Sequence, residues 1–450
     1  MKKIVLTVAT VMLFSWQGLS FADSSVDALI QKLEDKGILT SEDASQLKDE
    51  ISTKEEASQT KTFKSLLPGW LNGLKISGDM RLREQVNYTK VPGSANFHQN
   101  RARLRARLNV EDQINDKVKV IVGIATDGGI PRSRNYTFGG NPDFGTQGIV
   151  LNKAYAVYTP NKMVTLEAGK MDNPIWEPGP GGPGGSLFWD PNLTPEGGSI
   201  QLEKKVNKYM TPWLQGDIFD LRDAAPSASI RTDPYMLVTQ GGIKGDLTDK
   251  VYYKAGLTWY NINNPSHYYD SALSAGTNSR VIGPAGTSIL KYNFSNVIVE
   301  GAELGINDPF DDLLPSPIYI PQVGIFGDFA DNSSTGDHQN KAWMFGAYMG
   351  NSKINGWGTW RLQSYYKVIE RDAWLDVLPD ADFYSGGTNV AGWRQELDIG
   401  LAKNVWFDIC WFRSNIFKTI PGIQGVTATN TNPSEGAPNN TFQMDLNFNF

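Results

Sequence analysis

From Leu74 onward, polar and apolar residues alternate along the chain with a period of two. The clearest stretch spans residues 101–108, where four arginines alternate with four small or apolar residues: Arg101, Ala102, Arg103, Leu104, Arg105, Ala106, Arg107 and Leu108. Because successive side chains of a strand point to opposite faces, a strand places all four arginines on one face. A helix would scatter them. The pattern therefore predicts β-strands with one charged and one apolar face.

The same alternation recurs at both ends of this region. Between Lys75 and Arg83, polar residues that include Arg81 alternate with Ile76, Met80 and Leu82. At the C-terminus, Phe442, Met444, Leu446, Phe448 and Phe450 alternate with Gln443, Asp445, Asn447 and Asn449. A soluble sandwich could only expose an arginine row to solvent. A transmembrane barrel instead exposes its apolar face to lipid and its charged face to a wet lumen.

Connections of two lengths separate the predicted strands. Six short polar turns fall near 115–116, 160–161, 207–208, 248–249, 351–352 and 403–404, and a longer connection at 307–317 is interpreted as the seventh of this set. Eight long stretches rich in Gly, Asn and Pro fall near 87–96, 127–148, 171–195, 222–234, 263–288, 331–340, 371–390 and 419–440. Eight long and seven short connections imply about 16 strands. We expect the short links on the periplasmic side and the long links outside the cell.

These patterns predict an all-β fold, a transmembrane antiparallel up-and-down β-barrel of about 16 strands. An even number of strands places the first beside the last, so the barrel closes without an exposed edge. Aromatic residues in or beside the strands are interpreted as membrane-interface girdles. They are Trp343, Phe345, Trp357, Trp360, Trp393, Trp406, Phe407, Trp411 and Phe417.

The chain before the barrel divides into two segments. Residues 1–22 combine Lys2 and Lys3, an apolar stretch from Ile4 to Phe14 and small residues at Ser20 and Ala22, the −3 and −1 positions, which indicates a signal peptide cleaved after Ala22. Residues 23–66 are polar with helical apolar spacing, and we interpret them as a helical, coiled-coil-like segment and linker. Their role is either oligomerisation and contact with the cell wall or another envelope protein, or that of a solvated spacer. Residues 67–450 form the predicted barrel.

Composition excludes several kinds of site. One Cys and three His in 450 residues predict no disulfide framework, no cysteine zinc site and no histidine metal centre. A net charge of −6 makes nucleic acid an unsuitable partner. We expect no cofactor. We also expect no enzymatic activity, because no serine, histidine and carboxylate stand at recognisable triad spacing.

The third long connection, about 171–195, is predicted to fold into the lumen rather than lie exposed. It contains the Gly- and Pro-rich stretch 180–185 and the segment from Trp189 to Gly197. Four acidic residues accompany it: Asp172, Glu177, Asp190 and Glu196. Opposite the arginines of the wall, they would create a transverse field that selects solutes by charge and dipole.

Strand parity supplies the remaining pore-lining candidates. The complete predicted set is Arg81, Arg83, Arg101, Arg103, Arg105, Arg107, Asp172, Glu177, Asp190, Glu196, Arg361, Arg394, Glu396 and Asp408. Gln363, Tyr365, Lys367 and Asp398 share these faces, and Cys410 is in register with Asp408 as an inert small residue. Each charged residue could equally be a structural ion-pair partner within the wall.

The arginine-alternating strand at 100–108, the segment Trp189-Asp190-Pro191 to Pro195-Glu196-Gly197, the helical N-terminal stretch and terminal Phe450 together resemble the putative porins of Gram-negative outer membranes. The resemblance covers most of the chain after residue 22. It implies a sixteen-stranded, trimeric barrel in the outer membrane that allows passive diffusion of small hydrophilic solutes or ions.

Two rival functions remain open beside a general diffusion channel. A substrate-selective channel would need a dense ladder of aromatic or charged contacts through the lumen. A structural barrel would instead anchor the envelope through residues 23–66. Charge preference is also open: without Lys2 and Lys3 the net charge becomes −8, whereas the arginines favour anions at the narrowest point. Because the narrowest point governs selectivity, we expect the arginines to give a weak preference for anions.

Overall fold

The computed structural model describes residues 73–89, 96–140, 144–180, 186–223, 233–265, 277–282, 288–310, 319–336, 339–384, 386–418 and 438–450. The predicted signal peptide and the predicted helical segment at 23–66 lie outside the described residues, as do His267 and His338. Residues Leu74–Phe450 form one compact unit. No helix in the described ranges is long and apolar enough to cross a membrane.

Nineteen strands are found in this part of the chain. They are β1 (Leu74–Thr89), β2 (Phe97–Asn115), β3 (Val118–Thr126), β4 (Tyr136–Thr137), β5 (Ile149–Asn161), β6 (Val164–Lys170), β7 (Glu196–Glu203), β8 (Thr211–Asp220), β9 (Tyr235–Asp246), β10 (Val251–Asn263), β11 (Arg280–Ile282), β12 (Ser288–Leu290), β13 (Phe294–Asn307), β14 (Gln322–Asn332), β15 (Lys341–Gly350), β16 (Trp360–Ile369), β17 (Val390–Ala402), β18 (Val405–Ile416) and β19 (Pro438–Asn449).

Sixteen of these strands form a closed antiparallel barrel, which confirms the predicted fold class. Each pairs with the next along the chain, and β19 returns to pair with β1 from Asp79↔Asn449 to Thr89↔Asn439. The three short strands lie within long connections: β4 pairs with β2, and β11 pairs with β12. At the seam, Gly78 and Phe450 exchange two backbone hydrogen bonds of 2.8 and 3.0 Å. Closure therefore leaves no open edge among the sixteen strands.

The period-two pattern translates directly into an apolar outer surface. In β15 exposed and buried residues alternate without interruption: Trp343 and Phe345 are exposed, whereas Ala342 and Met344 are buried. Leucine, isoleucine and aromatic side chains are similarly exposed on the outer faces of the other strands. A surface of this kind is stable in lipid, where the backbone polar groups must all be paired within the barrel.

Connection lengths follow most of the predicted alternation. The seven connections at one end of the barrel lie at 116–117, 162–163, 204–210, 247–250, 308–321, 351–359 and 403–404, and those at the other end lie between them. The alternation fails at 308–321, which is longer than 90–96 and 333–340 at the other end. Strand β1 begins at Leu74 as predicted. The third long connection spans 171–195 between β6 and β7, and the seventh spans 370–389 between β16 and β17.

The barrel interior is not uniformly polar, which the sequence pattern did not predict. Inward-facing residues of β8–β10 and β13–β16 are apolar toward the ends that carry the long connections, and they form one buried cluster with the third and seventh long connections. Representative members are Phe219, Tyr260, Phe326, Trp189 and Trp374. The polar inner faces are concentrated on β1, β2 and β16–β19, and these faces form the candidate site.

Candidate functional site

Strands β1 and β2 place six arginines on one inward face, which we call the arginine row: Arg81, Arg83, Arg101, Arg103, Arg105 and Arg107. Strand pairing sets Arg81 opposite Arg105 and Arg83 opposite Arg103. Directly opposed like charges are destabilising unless acids intervene. The row therefore requires carboxylates from neighbouring elements.

Most of this compensation comes from three aspartates, namely Asp79, Asp445 and Asp382, the last of which binds Arg83 at 2.7 Å. Asp79 of β1 accepts hydrogen bonds from Arg105 at 2.9 Å and from Arg107 at 2.7 Å. Asp445 of β19 accepts two bonds from Arg83, at 2.8 and 2.7 Å, and lies 3.4 Å from Arg81. Bidentate arginine–carboxylate pairs of this kind fix orientation as well as charge. Many of the predicted pore-lining arginines are thus also ion-pair partners within the wall.

Two arginines of the row have no carboxylate partner among the ion pairs of the described chain. Arg103 donates to Gln85 Oε1 at 3.0 Å and lies 3.5 Å from Ser133 Oγ, and Arg101 lies beside it on β2. The buried Nε atoms of both side chains lack a hydrogen-bond partner. Their positive charge is therefore the least neutralised in the row.

The opposite charge is concentrated on the next strands of the wall. Glu396 and Asp398 of β17, Asp408 of β18 and Asp445 of β19 form what we call the acidic row. Asp398 and Asp408 are paired residues, as are Asp408 and Asp445. The polar faces of β1, β2 and β17–β19 thus carry positive charge on one side and negative charge on the other.

Two arginines partly neutralise the acidic row. Arg361 of β16 binds Asp398 at 2.8 Å, and Arg394 of β17 binds Glu396 at 2.9 Å. Glu396 also accepts a hydrogen bond from Gln363. Asp408 instead accepts a bond from Asn447 at 2.7 Å, and its other oxygen is buried without a hydrogen-bond partner. Asp408 is therefore the member of the acidic row without an ion-pair partner among the described residues.

The acidic row and four members of the arginine row line one cavity of about 490 Å³. Its lining includes Arg81, Arg83, Arg105, Arg107, Arg361, Arg394, Asp79, Glu396, Asp398, Asp408 and Asp445, together with residues of the short connections 351–359 and 403–404. The cavity consequently lies toward the end of the barrel that carries the short connections. It is an inward-facing polar space beside an otherwise packed interior.

The third long connection packs against inward-facing side chains of distant strands. Trp176 exchanges hydrogen bonds with Gln240 of β9 at 2.9 and 2.7 Å, and Trp189 donates to Tyr260 of β10 at 3.4 Å. Lys367 of β16 donates to the Ser186 carbonyl at 3.3 Å. Because β16 lies far from β6 and β7 around the barrel, these contacts require the connection to reach across the interior.

The four predicted acidic residues in or beside this connection do not pair with the arginine row. Asp172 pairs with Lys153 and Glu196 pairs with Lys170, each at 2.7 Å. Of the row, Arg107 alone shares a second cavity, of about 360 Å³, with Asp172, Glu177 and Asp190. The predicted transverse field between an acidic loop and a basic wall is corrected here, because the acids that bind the arginines are Asp79, Asp445 and Asp382.

Glu177 is half-buried and Asp190 is buried within the packed connections. Burial raises the pKa of Glu177 to about 7, although Ser186 and the backbone of Phe188 donate hydrogen bonds to it. Burial, and then the nearby charge of Asp380, raise the pKa of Asp190 to about 7. Both groups therefore titrate close to neutral pH, far above the range of an ordinary carboxyl.

The seventh long connection is a second inward element, which the sequence analysis missed. Trp374 is fully buried and stacks on Phe188 of the third connection at a ring distance of 4.6 Å. Asp382 binds Arg83 at 2.7 Å. The available signal was the stretch 373–378, which is apolar apart from Asp376, because several large apolar residues in an exposed connection would have no partner in water.

Two further wall residues, Cys410 and Trp406, face the 490 Å³ cavity. Cys410 is buried and faces the 490 Å³ cavity, and Arg394 Nε donates to its sulfur at 3.2 Å. Trp406, a predicted member of the interface girdle, instead lines this cavity. Its parity with Asp408 already implied an inward position, so this assignment is corrected.

One acidic cluster has the spacing of metal ligands. Oxygen atoms of Glu396, Asp398 and Asp408 lie within 4.8 Å of one another. Arg394 and Arg361 already bind two of these carboxylates. We assign no metal to this cluster.

A closed barrel with an apolar exterior and charged inward faces defines a transmembrane β-barrel channel protein. The family model described as "Putative porin" matches residues 87–281 and 319–450, well over half of the chain. The chain therefore belongs to this porin family, whose members are channels of bacterial outer membranes rather than enzymes.

Solved structures similar to this chain include mutants of the porin from Rhodopseudomonas blastica. A five-substitution mutant has a TM-score of 0.42 and 12% identity, covering 84% of this chain and 100% of that chain. A triple mutant has a TM-score of 0.40 and 10% identity with the same coverage. A search of curated proteins returned no match.

Proposed function

We propose that this protein is a diffusion channel of the outer membrane, through which small hydrophilic solutes and ions cross passively. The observation that carries this proposal is the 490 Å³ cavity, which is lined by charged inward faces of the wall beside a packed apolar interior. A path along β1, β2 and β17–β19 would be the only polar route suggested by the described residues. Solutes would therefore follow this side of the barrel.

The third long connection would narrow this route, with the seventh long connection acting beside it. Support comes from their inward contacts: Trp189 reaches Tyr260, Trp374 stacks on Phe188, and Asp382 reaches Arg83. The pore-lining residues would be the arginine row and the acidic row, with Arg361 and Arg394. The narrowing selects by charge because fixed charges in a confined space act on every passing ion.

Anions should be weakly preferred where the arginine row dominates the narrowest point. Six arginines face three close acids there, namely Asp79, Asp445 and Asp382. The proposal includes three further points. The protein would be exported by residues 1–22, with cleavage after Ala22, and would form homotrimers in outer-membrane lipid. Residues 23–66 would contact the envelope, and none of these features changes the solute route along the inner face of the wall.

A substrate-selective channel is the second candidate, and the packed interior favours it. A general porin needs an open lumen, whereas the third and seventh long connections bury large aromatic side chains inside this barrel. A purely structural envelope anchor would need no charged cavity. The cavity therefore favours transport over anchoring.

Single-channel recording tests the function directly. The chain 23–450 would be refolded into planar bilayers under a KCl gradient, with heat-denatured protein as the blank. Stepwise openings are expected, in groups of three if the protein is a trimer, with a reversal potential that favours chloride. A folded barrel that stays silent would reject the channel and support an anchoring role.

A further inference from the structure

The strongest unassigned feature is the cavity of about 360 Å³ that the second and third long connections line, which we call the connection pocket. The second long connection, residues 127–148, joins β3 to β5, and its Arg134 lines the pocket together with Arg107 of β2. Both guanidiniums carry a permanent positive charge, and they lie near enough for their charges to interact. The volume falls within the range of about 300–1,000 Å³ that is typical of small-molecule sites.

Arg107 is the member of the arginine row that lines both the 490 Å³ cavity and the connection pocket. Its side chain is 28% exposed, and its Nε donates to Asp79 at 2.7 Å. Its two Nη atoms form no hydrogen bond with the described residues, and they are not among the enclosed atoms. This end of the guanidinium is therefore open to a solute. Arg101 and Arg103, in contrast, line neither cavity.

Arg134 is held in place by uncharged acceptors. Its Nε donates to Asn152 Oδ1 at 2.7 Å, and its Nη1 donates to three backbone carbonyls of the same connection at 3.1–3.4 Å. Its Nη2 has no hydrogen-bond partner in the described part of the chain and is not enclosed either. These contacts fix the guanidinium without neutralising it, so Arg134 keeps its charge at the pocket wall.

The arginines beside the connection pocket outnumber the acid that binds them. Asp79 accepts hydrogen bonds from both Arg105 and Arg107, so one negative charge compensates two positive charges. Arg134 adds a third positive charge. The surplus beside the pocket is therefore about two positive charges before the acids of the third long connection are counted.

Three acids line the connection pocket, and they do not cancel this surplus at mildly acidic pH. Asp172 is paired with Lys153 at 2.7 Å. Burial raises the pKa of Glu177 to about 7, and burial and then Asp380 raise the pKa of Asp190 to about 7. Both carboxyls are therefore mostly neutral at pH 6 and mostly ionised at pH 8. The positive surplus is largest on the acidic side of neutrality.

Other charged and titratable groups surround these two carboxyls and Arg134 without lining the pocket. Beside Glu177 they are Lys367 of β16, Asp328 of β14 and Tyr260 of β10. Beside Asp190 they are Asp380, Asp382 and Lys367, and beside Arg134 there is Asp127.

We propose that the connection pocket is a transit site for small organic monocarboxylates, with Arg107 and Arg134 as its specificity-determining residues. This inference rests on the proposed channel function and adds a substrate class to it. The open end of Arg107 presents two parallel donors, which match the two oxygens of one carboxylate. At pH 7 the surplus is about one charge, which a monocarboxylate balances and a phosphate dianion exceeds.

A cationic solute is the competing occupant, because three acids line the same pocket. Lys153 already binds both oxygens of Asp172, at 2.9 and 2.7 Å. Asp190 accepts hydrogen bonds from the backbones of Ala381 and Asn192, each at 2.8 Å. The acids thus have partners within the protein, whereas the open donors belong to the arginines. The observations therefore favour an anion.

Saturation-transfer NMR with the refolded chain 23–450 in detergent tests the site independently of transport. The probes would be lactate, methanesulfonate and tetramethylammonium, with KCl conductance of the same preparation measured in planar bilayers. At pH 6, lactate should bind about two- to fivefold more tightly than methanesulfonate, which has the same charge but a tetrahedral head. Its dissociation constant should rise about three- to tenfold between pH 6 and pH 8, as Glu177 and Asp190 ionise.

Matched variants locate the site. Arg107→Gln and Arg134→Gln should each raise the dissociation constant of lactate about fivefold at pH 6. Arg107→Lys keeps the charge without the fork, so it should retain anion binding but lose the preference for lactate over methanesulfonate. Glu177→Gln should reduce the pH dependence. Arg413→Gln, on an exposed part of β18, is the control and should bind lactate as the unaltered chain does.

The two measurements separate this inference from the function on which it rests. A barrel that binds lactate as described but shows no KCl conductance would reject the channel and keep the carboxylate site. A conducting barrel whose lactate binding is absent, or is unchanged in Arg107→Gln, would reject only the site. Equal binding of lactate and methanesulfonate would overturn the carboxylate class, and tighter binding of tetramethylammonium at pH 6 would assign the pocket to cations. Arg107→Gln decides the matter if Arg134→Gln loses the strand signal in circular dichroism.

Discussion

Arg83 of β1 and Asp382 of the seventh long connection form an ion pair of 2.7 Å inside the barrel. The same guanidinium binds both oxygens of Asp445 on β19. One side chain therefore ties a long connection to the seam where the first and last strands close the barrel. Only arginine has the planar set of donors that can bind two carboxylates in fixed directions.

The Arg83–Asp382 pair is expected to restrain the seventh connection beside the pore. Asp382→Asn removes the negative charge and most of this attraction, so single-channel conductance should rise and its fluctuations should increase. The pKa of Asp382 supports the role of the pair: burial would raise it, but Arg83 and Arg81 hold it below its ordinary value. Asp223→Asn, exposed in another long connection, is the control. Identical conductance in the two variants would contradict the restraint.

Neutralising the arginine row should change ion selectivity. The double variant Arg103→Gln and Arg105→Gln removes two positive charges from the inward face of β2, so the reversal potential in a KCl gradient should move toward the potassium potential. Arg105 also binds Asp79 at 2.9 Å, so its loss leaves that acid less compensated and adds to the shift. Arg413→Gln should leave the reversal potential where it is. An unchanged value in the double variant would show that the row does not line the narrowest point.

The contact between the third and seventh long connections at Asp190 and Ala381, which we call the junction, should loosen as pH rises. Asp190 accepts a hydrogen bond from the backbone of Ala381 at 2.8 Å, which places it beside Asp380. Burial and then Asp380 raise the pKa of Asp190 to about 7, and burial and then Asp382 raise that of Asp380. Lys367 and Arg134 lie near enough to interact with the pair.

The direction in which junction stability changes with pH follows from proton binding. Between the ordinary carboxyl value of 3.8 and about 7, the folded junction keeps a proton on Asp190 that the unfolded chain releases. Stability of the junction therefore falls as pH rises through this window and stays lower above it. Proteolysis within 370–389 should be slower at pH 5 than at pH 8, and Asp190→Asn should reduce the difference. Equal rates at the two pH values would contradict the protonated junction.

Loss of the aromatic packing between the third and seventh long connections should leave the strands of the barrel folded. Trp374 contacts Phe188, Trp189 and Tyr260 at ring distances of 4.6, 6.1 and 4.8 Å. Trp374→Ala should destabilise this packing by about 3–5 kcal/mol, as large aromatic deletions in cores do. Cleavage within 370–389 should accelerate while the strand signal in circular dichroism persists. Trp357→Ala, in an exposed turn, is the control, and loss of the strand signal in Trp374→Ala alone would show that the packing supports the whole barrel.

Strand parity was readable from the chain because it is a local property. Alternation at 101–108 predicted the inward face of Arg101 to Arg107, and the pairing of β1 with β2 and β19 agrees with it. Connection lengths predicted the sixteen strands for the same reason. Polar spacing and turn residues depend only on neighbours in sequence.

Partners across the barrel were not readable in this way. The acids of the third connection were expected opposite the arginine row, yet Asp172 binds Lys153 and Glu196 binds Lys170. Asp445 was absent from the predicted pore-lining set although it binds Arg83. These pairings depend on strand register and on the inward path of connections far apart in sequence.

Local signals along the chain were sufficient to predict the fold class, the number of strands, most connection lengths and the charged strand faces, because a period of two and a turn depend only on neighbouring residues. Tertiary structure alone decided that Trp374 and Phe188 stack within the barrel and that Arg83 meets Asp382 and Asp445. The path of a long connection depends on the contacts of its buried side chains, and the strands that provide those contacts come together only when the sheet closes.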